Sequence, residues 1–121
     1  MTSSRSKGVG FVREVKGILQ GIGHITEGPG YASKWFNGRI NAVHQDYFGV
    51  FDLISYHNGT YYFHQISTLT NKAQKVKAIQ AQGMSGWVWC RTFEAGKVKY
   101  RIFSVESDGT VTEASATFGI R

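Results

Sequence analysis

The chain has one cysteine, Cys90, in 121 residues, so no disulfide can form within it. The apolar, strand-like run around Cys90 points to a buried thiol rather than a nucleophile, and an unpaired thiol implies a reducing compartment. No apolar stretch approaches the length of a membrane helix, and the opening Met1-Thr2-Ser3-Ser4-Arg5 lacks the hydrophobic core of a secretion signal. These absences predict a cytoplasmic protein with no membrane partner, in the host cytoplasm if the gene is viral. His24, His44, His57 and His64 have no close zinc-ligand spacing and no thiolate companion beyond Cys90. Gly8, Gly10 and Gly17 do not form a phosphate-cradling loop between a strand and a helix.

Acidic side chains are also scarce, eight Asp and Glu against 14 Lys and Arg, for a net charge of +6 and a pI near 9.6. That balance favours polyanionic partners, because basic side chains displace counterions from phosphates. The length suits one domain spanning 1–121. A hydrophobic fraction of 41 % and an aromatic fraction of 14 % exclude a disordered chain. Only Met1–Ser6 and Ser107–Arg121 lack patterning, and they read as loose termini.

Apolar residues at Phe11, Val12, Val15, Ile18, Leu19 and Ile22 recur at spacings of three and four, which predicts a helix over Val9–Ile22 ended by Gly21 and Gly23. Glu14 falls at the edge of its buried stripe. His24–Glu27 reads as a short strand, followed by Gly28-Pro29-Gly30. Tyr31–Gln45 has no assignable pattern, but its Lys34, Trp35, Phe36 and Arg39 mix cations with aromatics as nucleic-acid contacts do. A second helix is predicted over Lys72–Gln82, capped by Thr70 or Asn71, with Ala73, Val76 and Ile79 inward and Gly83 as its stop. Trp87–Phe93 and Lys97–Val105 form a hairpin turned at Glu94-Ala95-Gly96, with Trp87 and Trp89 on one face as core or dimer surface.

The clearest element lies between Val50 and Ser67, where FDLISYH and TYYFHQIS flank Asn58-Gly59. Asn-Gly supplies the two positive φ angles of a type I′ turn, so this is a hairpin. A two-residue loop sets His57 opposite Thr60, Asp52 opposite Gln65 and Val50 opposite Ser67. Alternation then collects Asp52, Gln65 and Ser67 on one face, with His64 and Ile66 on the other. An Asp inside an apolar strand is costly unless paired or bound to a metal. Asp46 is a second carboxylate nearby, or a turn aspartate.

RSKGVGFVREVKGILQGIGH, with Lys7-Gly8 ahead of Glu14, and FDLISYHNGTYYFHQIST, with Asp52, resemble the helix acid and the DLI-turn-ExK hairpin of the PD-(D/E)xK nuclease superfamily. Within it the resemblance is to archaeal-type Holliday junction resolvases, over about residues 5–105, with Gln65-Ile66-Ser67 where the family has Glu-x-Lys. The resemblance implies an α/β fold, a restriction-endonuclease-like mixed sheet flanked by helices. It also implies Mg²⁺- or Mn²⁺-dependent phosphodiester hydrolysis, with the ions activating water. In that reading Glu14 and Asp52 are metal carboxylates and Gln65 a neutral ligand. Ser67 positions water, and Lys72 or Lys75 replaces the missing ammonium. Arg5, Lys7, Lys34, Arg39, Lys72 and Lys75 would contact branched or double-stranded DNA. A junction's two-fold symmetry calls for a homodimer. The alternative is a catalytically silent DNA-binding protein that keeps the nuclease fold; a more distant one is an interaction protein, such as a binder of a host nuclease.

Overall fold

Helix α1 (Ser4–Gly21) buries Val12, Val15 and Leu19, the stripe that the spacing predicts. The structure is a computed structural model that describes the backbone of residues 4–114 and the side chains of residues 10–31, 37–40 and 45–114. The helix starts three residues inside the stretch expected to be loose. Gly23, at φ +96°, then turns the chain so that the His24 amide donates to the Leu19 carbonyl at 3.0 Å.

Among the described residues eight strands follow: β1 (Ile25–Glu27), β2 (Tyr31–Phe36), β3 (Arg39–His44), β4 (Leu53–His57), β5 (Thr60–Thr68), β6 (Gly86–Glu94), β7 (Lys97–Val105) and β8 (Val111–Ala114). Helix α2 (Lys72–Ala81) lies between β5 and β6. Six strands form one mixed sheet in the order β1-β4-β5-β6-β7-β8. β5 and β6 run parallel, with α2 in their connection, and the other neighbours are antiparallel. The segment without an assignable pattern is the separate two-stranded sheet β2-β3. Its turn, Asn37-Gly38, has φ of 51° and 72°, the same device as Asn58-Gly59 at 49° and 82° and Ala95-Gly96 at 51° and 75°.

Consecutive residues of β6 show the layering. Trp89 packs with Val12, Val15, Leu19, Leu53 and Ile102 under α1, whereas Val88 packs with Phe51, Val76, Ile79, Phe103 and Val105 under α2. Strand side chains alternate between faces, so the two helices cover opposite faces and the fold is α/β in three layers. Cys90 is buried in the α2 layer, as expected, and burial pushes its thiol up to about 11, so it is no nucleophile at neutral pH.

Three details depart from the sequence-based expectation. Ala73 is exposed, because α2 leans on the sheet through its buried Val76 and Ile79, with Ala78 at their side. Asn71 precedes α2 without a side-chain cap bond; its amide instead donates to Thr68 Oγ1 at 3.3 Å. Residues 111–114, placed in the loose C-terminal tail, pair with β7, where Arg101 grips Glu113 by two bonds of 2.7 and 2.9 Å.

The tightest packing joins Phe51 to Gly86: a methyl group on Gly86 would fall 2.5 Å from Phe51 Cε1 and 2.9 Å from Cζ. Gly86→Ala is expected to lower unfolding free energy by about 1–3 kcal/mol through overpacking. Urea titration checks this, with Gly17→Ala, where nothing lies within 4 Å of the new methyl, as the control that does not destabilise.

Candidate functional site

The β4-β5 register runs as the arithmetic predicts from His57↔Thr60 to Leu53↔His64, and there it stops. The Asp52 amide donates to the His64 carbonyl at 2.8 Å, so Asp52 and Leu53 both face His64 in a bulge-like step. Asp52 is therefore not squarely opposite Gln65, nor Val50 opposite Ser67. The cause is burial: Val50 and Phe51 turn into the α2 core. The chain closes on itself there, with Tyr47 N–H donating to the Phe51 carbonyl at 2.7 Å and Phe51 N–H to that of Tyr47 at 2.9 Å.

Beyond His64 the β4 side of β5 has lost its partner strand, and two side chains fill the gap. Asp52 Oδ2 accepts the Ile66 amide at 2.9 Å, and Gln65 Nε2 donates to the Ile66 carbonyl at 3.2 Å. Asp52 and Gln65, 8 % and 3 % exposed, thus meet on the two backbone groups of one residue. Among the described residues Gln65 Oε1 is a buried acceptor without a hydrogen-bond partner, a condition that costs about 1–3 kcal/mol. Ser67 shares the face of Gln65, but its hydroxyl donates to the Thr68 carbonyl at 2.9 Å.

The other expected site residues lie elsewhere. Ile66 belongs to the α1 layer, so its neighbours Gln65 and Ser67 face α2, whereas Glu14 is exposed on α1. Glu14 sits beside Tyr100, whose hydroxyl is pushed up to about 12 by burial first and by the Glu14 charge second. Arg91, cross-strand from Tyr100, lays its guanidinium 3.7 Å from the Phe11 ring centroid and 4.6 Å from that of Phe93. Lys72 is on the α2 side, with Nζ 4.1 Å over the Phe103 ring, which places it two strands, about 10 Å, from β5. Lys75 is half-buried one turn further along α2, and Asp46 is half-buried ahead of the Tyr47–Phe51 turn. Arg39 is exposed at the start of β3; the side chains of Arg5, Lys7 and Lys34 lie outside the described residues. No group of three His, Cys, Asp or Glu side chains suited to a metal occurs among the described residues.

A polar chain that sequence reasoning missed crosses the α1 face. Trp89 Nε1 lies 3.0 Å from His64 Nδ1, His64 Nε2 is 2.8 Å from Ser55 Oγ, and Ser55 Oγ is 2.9 Å from His24 Nδ1. Indole N–H can only donate, which fixes the His64 tautomer. Neutral His64 accepts at Nδ1 and donates from Nε2 to the Ser55 oxygen, which is also bonded to His24 Nδ1. The His24 ring stacks on His57 at 4.7 Å and 12°. Ser55 and His64 have the spacing of a nucleophile and its base, but they are 1 % and 0 % exposed, so no substrate reaches them and they lock strands together. The signal was available: Leu53 faces His64, and Ser55, two residues on, shares its face.

Searches against protein-family models, curated proteins and solved structures found no match to this chain.

His64 is held neutral, its pKa pushed down to about 3 by burial first and by His24 second. The unfolded chain takes up a proton near the ordinary value of 6.5 and the folded one does not, so stability present above that value is lost as pH falls toward 3. Between pH 6 and 4 the unfolding free energy is expected to fall by about 1 kcal/mol per pH unit from this residue. Urea titrations across that range check it, with His64→Gln losing that part of the slope. Parent curves that superimpose would refute it.

Proposed function

We propose that the chain is a metal-dependent nuclease of the PD-(D/E)xK type that acts on branched or double-stranded DNA, with Asp52 and Gln65 as its metal pole. The reading rests on one observation. Where β4 ends, a buried carboxylate and a buried amide converge on Ile66, and the amide oxygen has no hydrogen-bond partner among the described residues. Oxygen ligands of this kind suit Mg²⁺ or Mn²⁺. The bound ion would supply Lewis acidity toward a phosphodiester and a more acidic water.

The element order supports it. Helix, three antiparallel strands (β1, β4, β5), helix and parallel strand (β6) give a mixed sheet flanked by helices, the order this reading expects of a restriction-endonuclease-like fold. The positive net charge suits a DNA partner. Glu14 we assign to Tyr100 rather than to the metal, because it lies on the opposite face. Of the two lysines, Lys72, whose ammonium lies over Phe103 on the α2 side of the sheet, is the proposed source of the missing cation, its flexible stem reaching toward β5. A four-way junction is two-fold symmetric, and paired cuts on it call for a homodimer.

A second reading, the silent DNA binder, is favoured by the two bonds that occupy Asp52 Oδ2 and the Ser67 hydroxyl within the protein. Two measurements separate the readings. Calorimetric titration of Mn²⁺ is expected to give binding that Asp52→Asn abolishes while keeping the bond to Ile66, and that Gln65→Glu strengthens. Junction cutting in Mg²⁺ or Mn²⁺ is expected to fall on the order of 10²-fold in Lys72→Ala with affinity unchanged. A parent that binds junctions in a salt-dependent way but never cuts them, with either ion, establishes the silent binder instead.

A further inference from the structure

The β2-β3 hairpin stands apart from the rest of the fold. It forms its own sheet, and among the described residues its extensive contacts are between its own two strands. Exposed apolar and aromatic side chains that gather on one element beside cations mark a surface for a partner. Tyr31 is 50 % and Ile40 62 % exposed, and Arg39 is exposed between Ile40 and the Asn37-Gly38 tip. Within residues 31–44 the sequence carries Lys34 and Arg39 and no acidic residue, in a stretch that also holds Trp35 and Phe36. The register sets Lys34 opposite Asn41 and Phe36 opposite Arg39.

Its root is fastened beside the proposed metal pole. The Gln45 amide donates to the Gly30 carbonyl at 2.9 Å, and Lys16 Nζ from α1 donates to the Gly28 carbonyl at 2.7 Å. The packing leaves no room for side chains at either glycine. A methyl on Gly28 would lie 2.9 Å from the Asp52 carbonyl oxygen, and one on Gly30 would lie 2.6 Å from that of Gln45. The chain thus enters and leaves the ribbon next to Asp52.

From this geometry we infer that the hairpin is an arm that enters the major groove of duplex DNA and holds it against the Asp52–Gln65 end of the sheet. The inference rests on the DNA reading proposed above. Six-residue strands reach about 20 Å, and a two-stranded ribbon is about 10 Å across with its side chains. The B-form major groove, about 12 Å wide, admits such a ribbon. Lys34 and Arg39 neutralise phosphates along the groove.

Three versions of the full chain test the arm: the parent, Lys34→Ala/Arg39→Ala, and one with residues 32–43 replaced by Asn-Gly. Fluorescence anisotropy against B-form duplex and four-way junction DNA is measured over a salt series, with thermal melts to verify folding. The shortened arm is expected to melt with the parent and to bind DNA at least ~10-fold more weakly. The double variant is expected to lower the slope of log affinity against log salt by about 2. Double-stranded RNA, whose major groove is too narrow for side chains to read, is expected to bind all three versions alike. Unchanged DNA affinity and salt slope in both variants overturn the arm while leaving the DNA reading intact. An equal loss on RNA overturns the groove assignment. A parent that binds no DNA overturns the DNA reading and the arm with it. If the shortened arm fails to fold, the double variant alone decides.

Discussion

Phe51 pressed against Gly86 is the contact on which the site and its surroundings depend. A fully buried aromatic ring contributes about 1.5–3 kcal/mol or more, and to bury this one the chain must leave the β4-β5 ladder after Leu53. Everything unusual nearby follows from that departure. Ile66 loses a backbone partner, the Asp52 carboxylate takes its place, and the amide of Gln65 is drawn to the same spot. The Tyr47–Phe51 turn that lets the ring fold inward carries Phe48 at φ 55°, a strained conformation for a bulky residue. Tyr47 in turn packs over the two glycines at the root of the β2-β3 ribbon.

The sheet buries polar groups in two contrasting ways. On the α1 face, Trp89, His64, Ser55 and His24 form a continuous hydrogen-bonded series, and such a network rigidifies a core. On the α2 side of β5, Gln65 keeps a buried oxygen without a hydrogen-bond partner among the described residues. Satisfied networks read as structure, and an unsatisfied group at the end of a strand reads as a place that receives a ligand. The same contrast separates Ser55 from Ser67: the first is locked between imidazoles, the second lies on the α2 face with Gln65 and bonds only to its neighbour's carbonyl among the described residues.

Opposite sheet faces also divide the charged residues that sequence order groups together. Glu14 joins Tyr100 and Arg91 under α1, while Lys72 rests on Phe103 under α2. A sequence pattern written along the chain does not specify the face of each residue, and in the proposed reading the face separates Glu14 from Asp52 and Gln65, leaving those two with Lys72 on the α2 side of the sheet.

The sequence by itself determined the local elements. Spacings of three and four are enough to define α1, and Asn58-Gly59 and Ala95-Gly96 are enough to define two hairpins, because helical period and positive φ are properties of a few neighbouring residues. Register from His57 to Leu53 follows from loop length alone. Tyr31–Gln45 is opaque in sequence because its polar and apolar residues show no clean alternation, although Asn37-Gly38 marks its turn. Tertiary structure alone decided where the register ends, since that is set by the burial of Phe51 against a glycine 35 residues away along the chain. It alone decided that Val111–Ala114 becomes an edge strand, and that Glu14 and Gln65 lie on opposite faces. These outcomes are settled by competition among distant side chains for the two cores, which no local spacing encodes.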